Sequence, residues 1–159
     1  MAKKLQASDE FKELIRRQSI TITLSSNVNL SITETYAPVK VQLNTIKSVK
    51  NSSLYTFTSN GIKINKSGFY LISGNAMVNS TDTNQTVLAR IYKQGSSNMR
   101  LSEGYCKICG SGWQTISLTP MLYYLEANDM VYLGVGGSST GTVGVGGGSC
   151  FSYLTITEL

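Results

Sequence analysis

The 159-residue chain has no histidine, only two prolines and three cysteines, and charged residues make up 14% of it. Without histidine, Ser-His-Asp and Cys-His arrangements are excluded, as are imidazole-based metal sites. Of the carboxylates, Glu126 and Asp129 fall in a polar turn and read as shaping that turn rather than transferring protons. Asp82 and Asp129 could meet a hard cation, but no loop carries the alternating ligands of a dedicated calcium site. The reading is a protein that is not an enzyme and that uses no cofactor and no metal.

Cys106 and Cys109 have the C-x-x-C spacing of redox motifs and of half a zinc site. A redox motif should open a helix beside a parallel sheet, whereas the surroundings here are strand-like and glycine-rich. A zinc site needs a second pair of ligands, and only Cys150 remains. Reduced, inert thiols are the expectation.

Charge is scarce against the roughly 25% of an ordinary globular protein. Much of the outer surface is therefore Ser, Thr, Asn and Gly, or is covered by other subunits. The net charge of +5 comes from scattered lysines and arginines with no basic run interleaved with aromatics, which excludes nucleic acid as a partner. No apolar run approaches the about 18 residues that span a bilayer, so no membrane insertion is expected. Lys3 and Lys4 lead into an acidic, amphipathic segment rather than an apolar leader, which reads as a product made in a cytoplasm and released by a route other than secretion.

Residues 6–18 form the one convincing helix. Ser8 suits its N-cap, and Asp9 and Glu10 suit its first turn. Phe11, Leu14 and Ile15 share one apolar face, with Arg16 and Arg17 at the C-terminal end. So short a helix is marginal alone, and its apolar face must pack on something.

From residue 19 the pattern changes to period two. Ile20, Ile22 and Leu24 alternate with Ser and Thr, and Val28, Leu30 and Ile32 repeat the theme. In 69–78, Tyr70, Ile72, Gly74, Ala76 and Val78 fall on one face; Val87, Ala89 and Ile91 follow, and alternation runs through 151–157. Separate strands are read at 113–118 and 122–125, and a turn at 95–98. Many short strands with frequent turn signals indicate an antiparallel sandwich or barrel. Residues 134–148 hold eight glycines with neither the lysine nor the helix of a phosphate loop. They read as a flexible loop joining the last two strands, or as a place where chains approach closely at a symmetry axis. Tyr36, Tyr105 and Trp113 are possible ligand-contact aromatics.

Three segments carry a family resemblance. Gly61-Ile62-Lys63-Ile64-Asn65-Lys66-Ser67-Gly68-Phe69-Tyr70 is followed by a strand ending in the Lys-containing Tyr92-Lys93-Gln94-Gly95. Leu125-Glu126-Ala127-Asn128-Asp129-Met130-Val131-Tyr132-Leu133 has Asn128 where a glycine is usual, and Asn also tolerates the left-handed backbone. With the closing Phe151-Ser152-Tyr153-Leu154, the set resembles the globular heads of the C1q and tumour-necrosis-factor superfamily over residues 19–159. The resemblance implies an all-β, antiparallel jelly-roll head over 19–159, closing into a homotrimer, with 1–18 as an anchoring helix. Among microbial members it implies a bacteriophage virion surface protein: a head fibre, decoration protein or small receptor-binding protein. Its partners would be a larger virion component, capsid or tail, met through Phe11, Leu14, Ile15, Arg16 and Arg17, and a host cell-surface glycan. A spore-coat or cell-surface head, or a carbohydrate-binding module, are the rival expectations.

Overall fold

The computed structural model describes residues 18–59, 61–94, 99–148 and 151–159. Phe11, Leu14, Ile15, Arg16 and Arg17 lie outside the described residues, as does the 95–98 turn. Gln18, the last residue of the expected helix, is not helical. Its carbonyl accepts hydrogen bonds from the Tyr55 hydroxyl (2.7 Å) and the Glu158 amide (2.9 Å).

The described chain is an antiparallel sandwich of two sheets. The first runs β2 (Val28–Ile32), β12 (Gly141–Val145), β7 (Gly68–Ser80), β13 (Tyr153–Glu158), β1 (Ser19–Thr23), β4 (Thr45–Val49). β10 (Gln114–Leu125) pairs with the opposite flank of β7. The second sheet runs β5 (Tyr55–Thr58), β6 (Gly61–Ile64), β11 (Met130–Gly137), β8 (Thr86–Gln94), β9 (Met99–Lys107), with the short β3 (Val39–Lys40) added to β11. Strands far apart in sequence are neighbours, as when β1 pairs β13 with Ile20 opposite Ile156. Every pairing in the sandwich is antiparallel, the pattern of a jelly roll.

Period-two alternation sets which side chains meet between the sheets. Tyr70, Ile72, Ala76 and Val78 of β7, Val87, Ala89 and Ile91 of β8, and Leu154 and Ile156 of β13 are fully buried together, as the sequence pattern leads one to expect. Tyr70 is buried to its ring, and its hydroxyl donates to the Lys66 carbonyl at 2.6 Å. Its ring meets Tyr55 edge to face at 6.2 Å.

Two readings need correction. Residues 134–148 are not a loop: β11 continues through Gly137 and β12 occupies Gly141–Val145. The glycines let backbone lie on backbone. A Cβ at Gly134 would stand 3.1 Å from Pro38 Cβ, and one at Gly136 3.1 Å from the Ala37 carbonyl oxygen, so the 37–38 segment closes over β11. Second, 113–118 and 122–125 belong to one strand, β10, with a register shift between Leu118 and Met121. Pro120 sits at that shift on an edge strand, where a missing N–H breaks no ladder bond. The turn before β11 does form as expected. Asn128 adopts φ 80°, and Asp129 Oδ2 accepts from the Glu126 amide at 2.7 Å.

Burial raises the pKa of Tyr55 and of Tyr70 above the ordinary tyrosine value. The folded state therefore holds these protons more tightly than the unfolded chain. Their contribution to stability is complete below about pH 10 and is lost as pH rises through the raised values. Denaturant midpoints measured at about pH 9 and about pH 11 should fall steeply for the wild type and less for Tyr55→Phe. Equal falls would show that Tyr55 does not govern the alkaline limb.

Candidate functional site

The outward face of the first sheet carries side chains that a lone sandwich leaves uncovered. On β7, Phe69 and Leu71 alternate with buried Tyr70 and Ile72 and so point away from the core. The β10 register sets Tyr124 opposite Phe69 and Leu122 opposite Leu71. Phe69 and Tyr124 meet edge to face at 5.3 Å. Phe69 is 57% exposed, Leu122 56% and Tyr124 47%, so about half of each apolar surface remains in water. Four adjacent apolar side chains on one sheet face form a contiguous patch, the usual mark of an interaction site. Beyond it the same face turns polar. Asn75, paired with Ser117 on β10 and Tyr153 on β13, has a buried Oδ1 with no hydrogen-bond partner. Such an atom costs about 1–3 kcal/mol until something donates to it.

The far end of β7 leads to a different surface. A cavity of about 180 Å³ is lined by Asn29, Asn79, Ser80, Thr81, Trp113, Thr142 and Gly144. Asn29 of β2, Gly144 of β12 and Asn79 of β7 form one row across three strands. Trp113, from the segment leading into β10, lies on this row. A Cβ at residue 144 would stand 3.3 Å from Trp113 Cη2, so glycine leaves room for the indole.

Tyr36 and Tyr105 meet a charged cluster on the second sheet. Arg90 pairs with Glu103, and its Nη1 also donates to the Tyr36 carbonyl (3.1 Å) and the Tyr92 hydroxyl (3.2 Å). Glu103 further accepts from the Tyr105 hydroxyl and from Arg100 (3.0 Å). Tyr92 stacks on Tyr132 at 5.2 Å, and Lys40 Nζ lies 4.4 Å above the Tyr132 ring. The three sequence-selected aromatics are thus divided: Tyr36 by its carbonyl and Tyr105 by its hydroxyl border one ion-pair network with their rings exposed, and Trp113 lines a cavity. The Phe69, Leu71, Leu122 and Tyr124 strip was missed. Its signal was the outward half of the same alternation that marked the core.

Lys93 and Asp129 form an ion pair at 2.8 Å, which raises the lysine pKa and occupies the Asp129 carboxylate. Among the described residues, no group of three His, Cys, Asp or Glu side chains could hold a metal ion. Cys106 and Cys109 are free thiols, and burial raises the pKa of Cys106.

No family model matches the chain, and no curated protein matches it in sequence. Solved structures do match in fold. The Eiger TNF of S. frugiperda superposes with a TM-score of 0.68 at 10% identity, over 90% of this chain and 92% of that one. Murine APRIL, in its crystal structure at pH 5.0, gives 0.71 at 8% identity, over 90% and 99% of the two chains. The protein is a TNF-like antiparallel jelly roll.

Proposed function

We propose that this chain is a non-enzymatic, homotrimeric surface head of a tailed-bacteriophage virion, with residues 1–18 anchoring it to a capsid or tail component. The observation that carries the reading is the strip of Phe69, Leu71, Leu122 and Tyr124 on the outward face of the first sheet. An isolated head gains nothing from presenting four neighbouring apolar side chains to water, whereas a ring of identical heads buries them. The low share of charged residues, 14%, supports a chain with much of its surface inside an assembly. The virion part of the reading is supported by the N-terminal sequence. Phe11, Leu14 and Ile15 make an apolar stripe too short to stand alone, and Arg16, Arg17, Lys3 and Lys4 suit an acidic docking surface.

The test is incorporation into purified particles. Burying a Phe or a Leu contributes about 1.5–3 kcal/mol. Replacing Phe11 and Leu14 together by Ser should release the protein from particles while the trimer survives. Equal incorporation of variant and wild type would overturn the anchoring role, and loss of the trimer would place the helix inside the head.

A further inference from the structure

The chemistry of the Trp113 cavity differs from that of the apolar strip. It lies about 25 Å along β7 from Leu71, at about 3.3 Å per residue. Two features make it a built site, a tied-down wall and an exposed indole. Asn79 donates its Nδ2 to the Ser111 carbonyl at 3.2 Å, tying down the segment that carries Trp113. The other end of the same amide, Oδ1, is sealed from solvent with no partner, so Asn79 serves to hold the wall rather than to meet a ligand. The indole of Trp113 remains 40% exposed and is seated against Gly144.

The lining also restricts what could bind. None of the seven lining residues is charged. An anionic or cationic ligand would therefore lose hydration without finding a counter-charge. A wholly apolar ligand would cover Asn29, Thr81 and Thr142 and leave their polar groups unsatisfied. Ser80 is already spent, its hydroxyl donating to Gln85 Oε1 at 2.7 Å and accepting from the Asp82 amide at 3.2 Å. A ligand that suits both the indole face and the amide and hydroxyl groups must itself have an apolar face edged with hydroxyls. A pyranose ring has this form: its axial C–H groups lie against the negative face of an aromatic ring while its hydroxyls point sideways. The volume is below the about 300 Å³ at which ordinary small-molecule sites begin, which suits one ring rather than an extended chain.

We infer that this cavity binds a single neutral pyranose residue of a saccharide, with Trp113 as the stacking platform and Asn29 and Thr142 supplying hydrogen bonds. The site extends the surface-head reading to a ligand class, yet it uses none of the residues of the apolar strip. Sugar binding and trimer formation therefore stand or fall in separate measurements.

Trp113 is the only tryptophan of the chain, so intrinsic tryptophan emission reports this cavity alone. The full chain is titrated with the methyl glycosides of glucose, galactose, mannose, rhamnose, N-acetylglucosamine and N-acetylgalactosamine. A saturable change in emission is expected for at least one of them. Asn29→Ala, at an exposed position, should weaken that glycoside about three- to ten-fold with the melting temperature unchanged. Trp113→Ala should abolish its saturation-transfer NMR signal. The inference is overturned if no glycoside gives a saturable change, or if Asn29→Ala titrates like the wild type. It is also overturned if the emission shifts with protein concentration as subunits assemble, since a sister subunit would then be the occupant.

Discussion

Leu122→Asp is expected to turn a trimeric head into a folded monomer. Leu122 is already about half buried within one protomer. Association can therefore add only about half of the 1.5–3 kcal/mol that full burial of a leucine contributes. Deleting the side chain would cost about 1 kcal/mol per subunit, and threefold symmetry repeats that cost three times, for about a hundred-fold in the assembly constant. A carboxylate does more. It must be desolvated beside Leu71 with no partner, adding several kcal/mol at each of three equivalent places. The folded protomer should hardly notice, because the position points away from the core and surface changes usually stay within about 0.5 kcal/mol. Light scattering at micromolar concentration should give a trimer mass for wild type and a monomer mass for Leu122→Asp, with matching far-ultraviolet spectra. A wild-type monomer would defeat the assembly itself. A trimeric Leu122→Asp would move the seam away from this strip.

The parts of this fold that could be read from residues are those where a side chain reports its own direction. Alternation in 69–78 places Tyr70, Ile72, Ala76 and Val78 inward, and they are buried. Asn128 could be read as a left-handed turn residue because its short amide tolerates that backbone, and its φ is 80°. Residues 134–148 failed for the converse reason. Glycine has no side chain with which to express a period, so the end of β11 and all of β12 looked like a loop, and the contact of Gly134 and Gly136 with 37–38 depends on a segment about a hundred residues away. The surroundings of the candidate ligand aromatics were illegible for another reason. Nothing local distinguishes Tyr105, whose hydroxyl donates to Glu103, from Trp113, seated on a glycine of β12; that difference is made by pairing between distant strands. The strip was hidden because a half-exposed Phe69 or Leu71 on a strand looks the same as one destined for the core until the register with Tyr124 and Leu122 is known.

Gly61→Ala is expected to destabilise the head strongly, although it adds a single methyl group. Gly61 opens β6, paired with Thr58 of β5, one residue before Ile62, which pairs with Val131 of β11. Its φ is +139°, a conformation that L side chains rarely adopt. A Cβ built there would lie 2.2 Å from the Val131 carbonyl oxygen and 3.0 Å from Tyr132 Cβ. The nearest atom is backbone inside a paired strand, so it cannot swing aside as a flexible side chain would. Two costs then add: backbone strain of about 1–3 kcal/mol and overpacking of about 1–3 kcal/mol. Their sum, about 2–6 kcal/mol, is a large share of the about 5–15 kcal/mol that holds a domain together. At about 2–4 °C per kcal/mol for a chain of this size, it corresponds to a fall of about 4–24 °C in melting temperature. Gly112→Ala is the control, since a Cβ there meets nothing within 4 Å. Melting curves of both variants and the wild type should be recorded at one protein concentration, because assembly would otherwise shift them by mass action. If Gly61→Ala melts with Gly112→Ala, then β6 can slide away from β11 to admit a methyl group, and the packing of Ile62 against the core is looser than its complete burial implies.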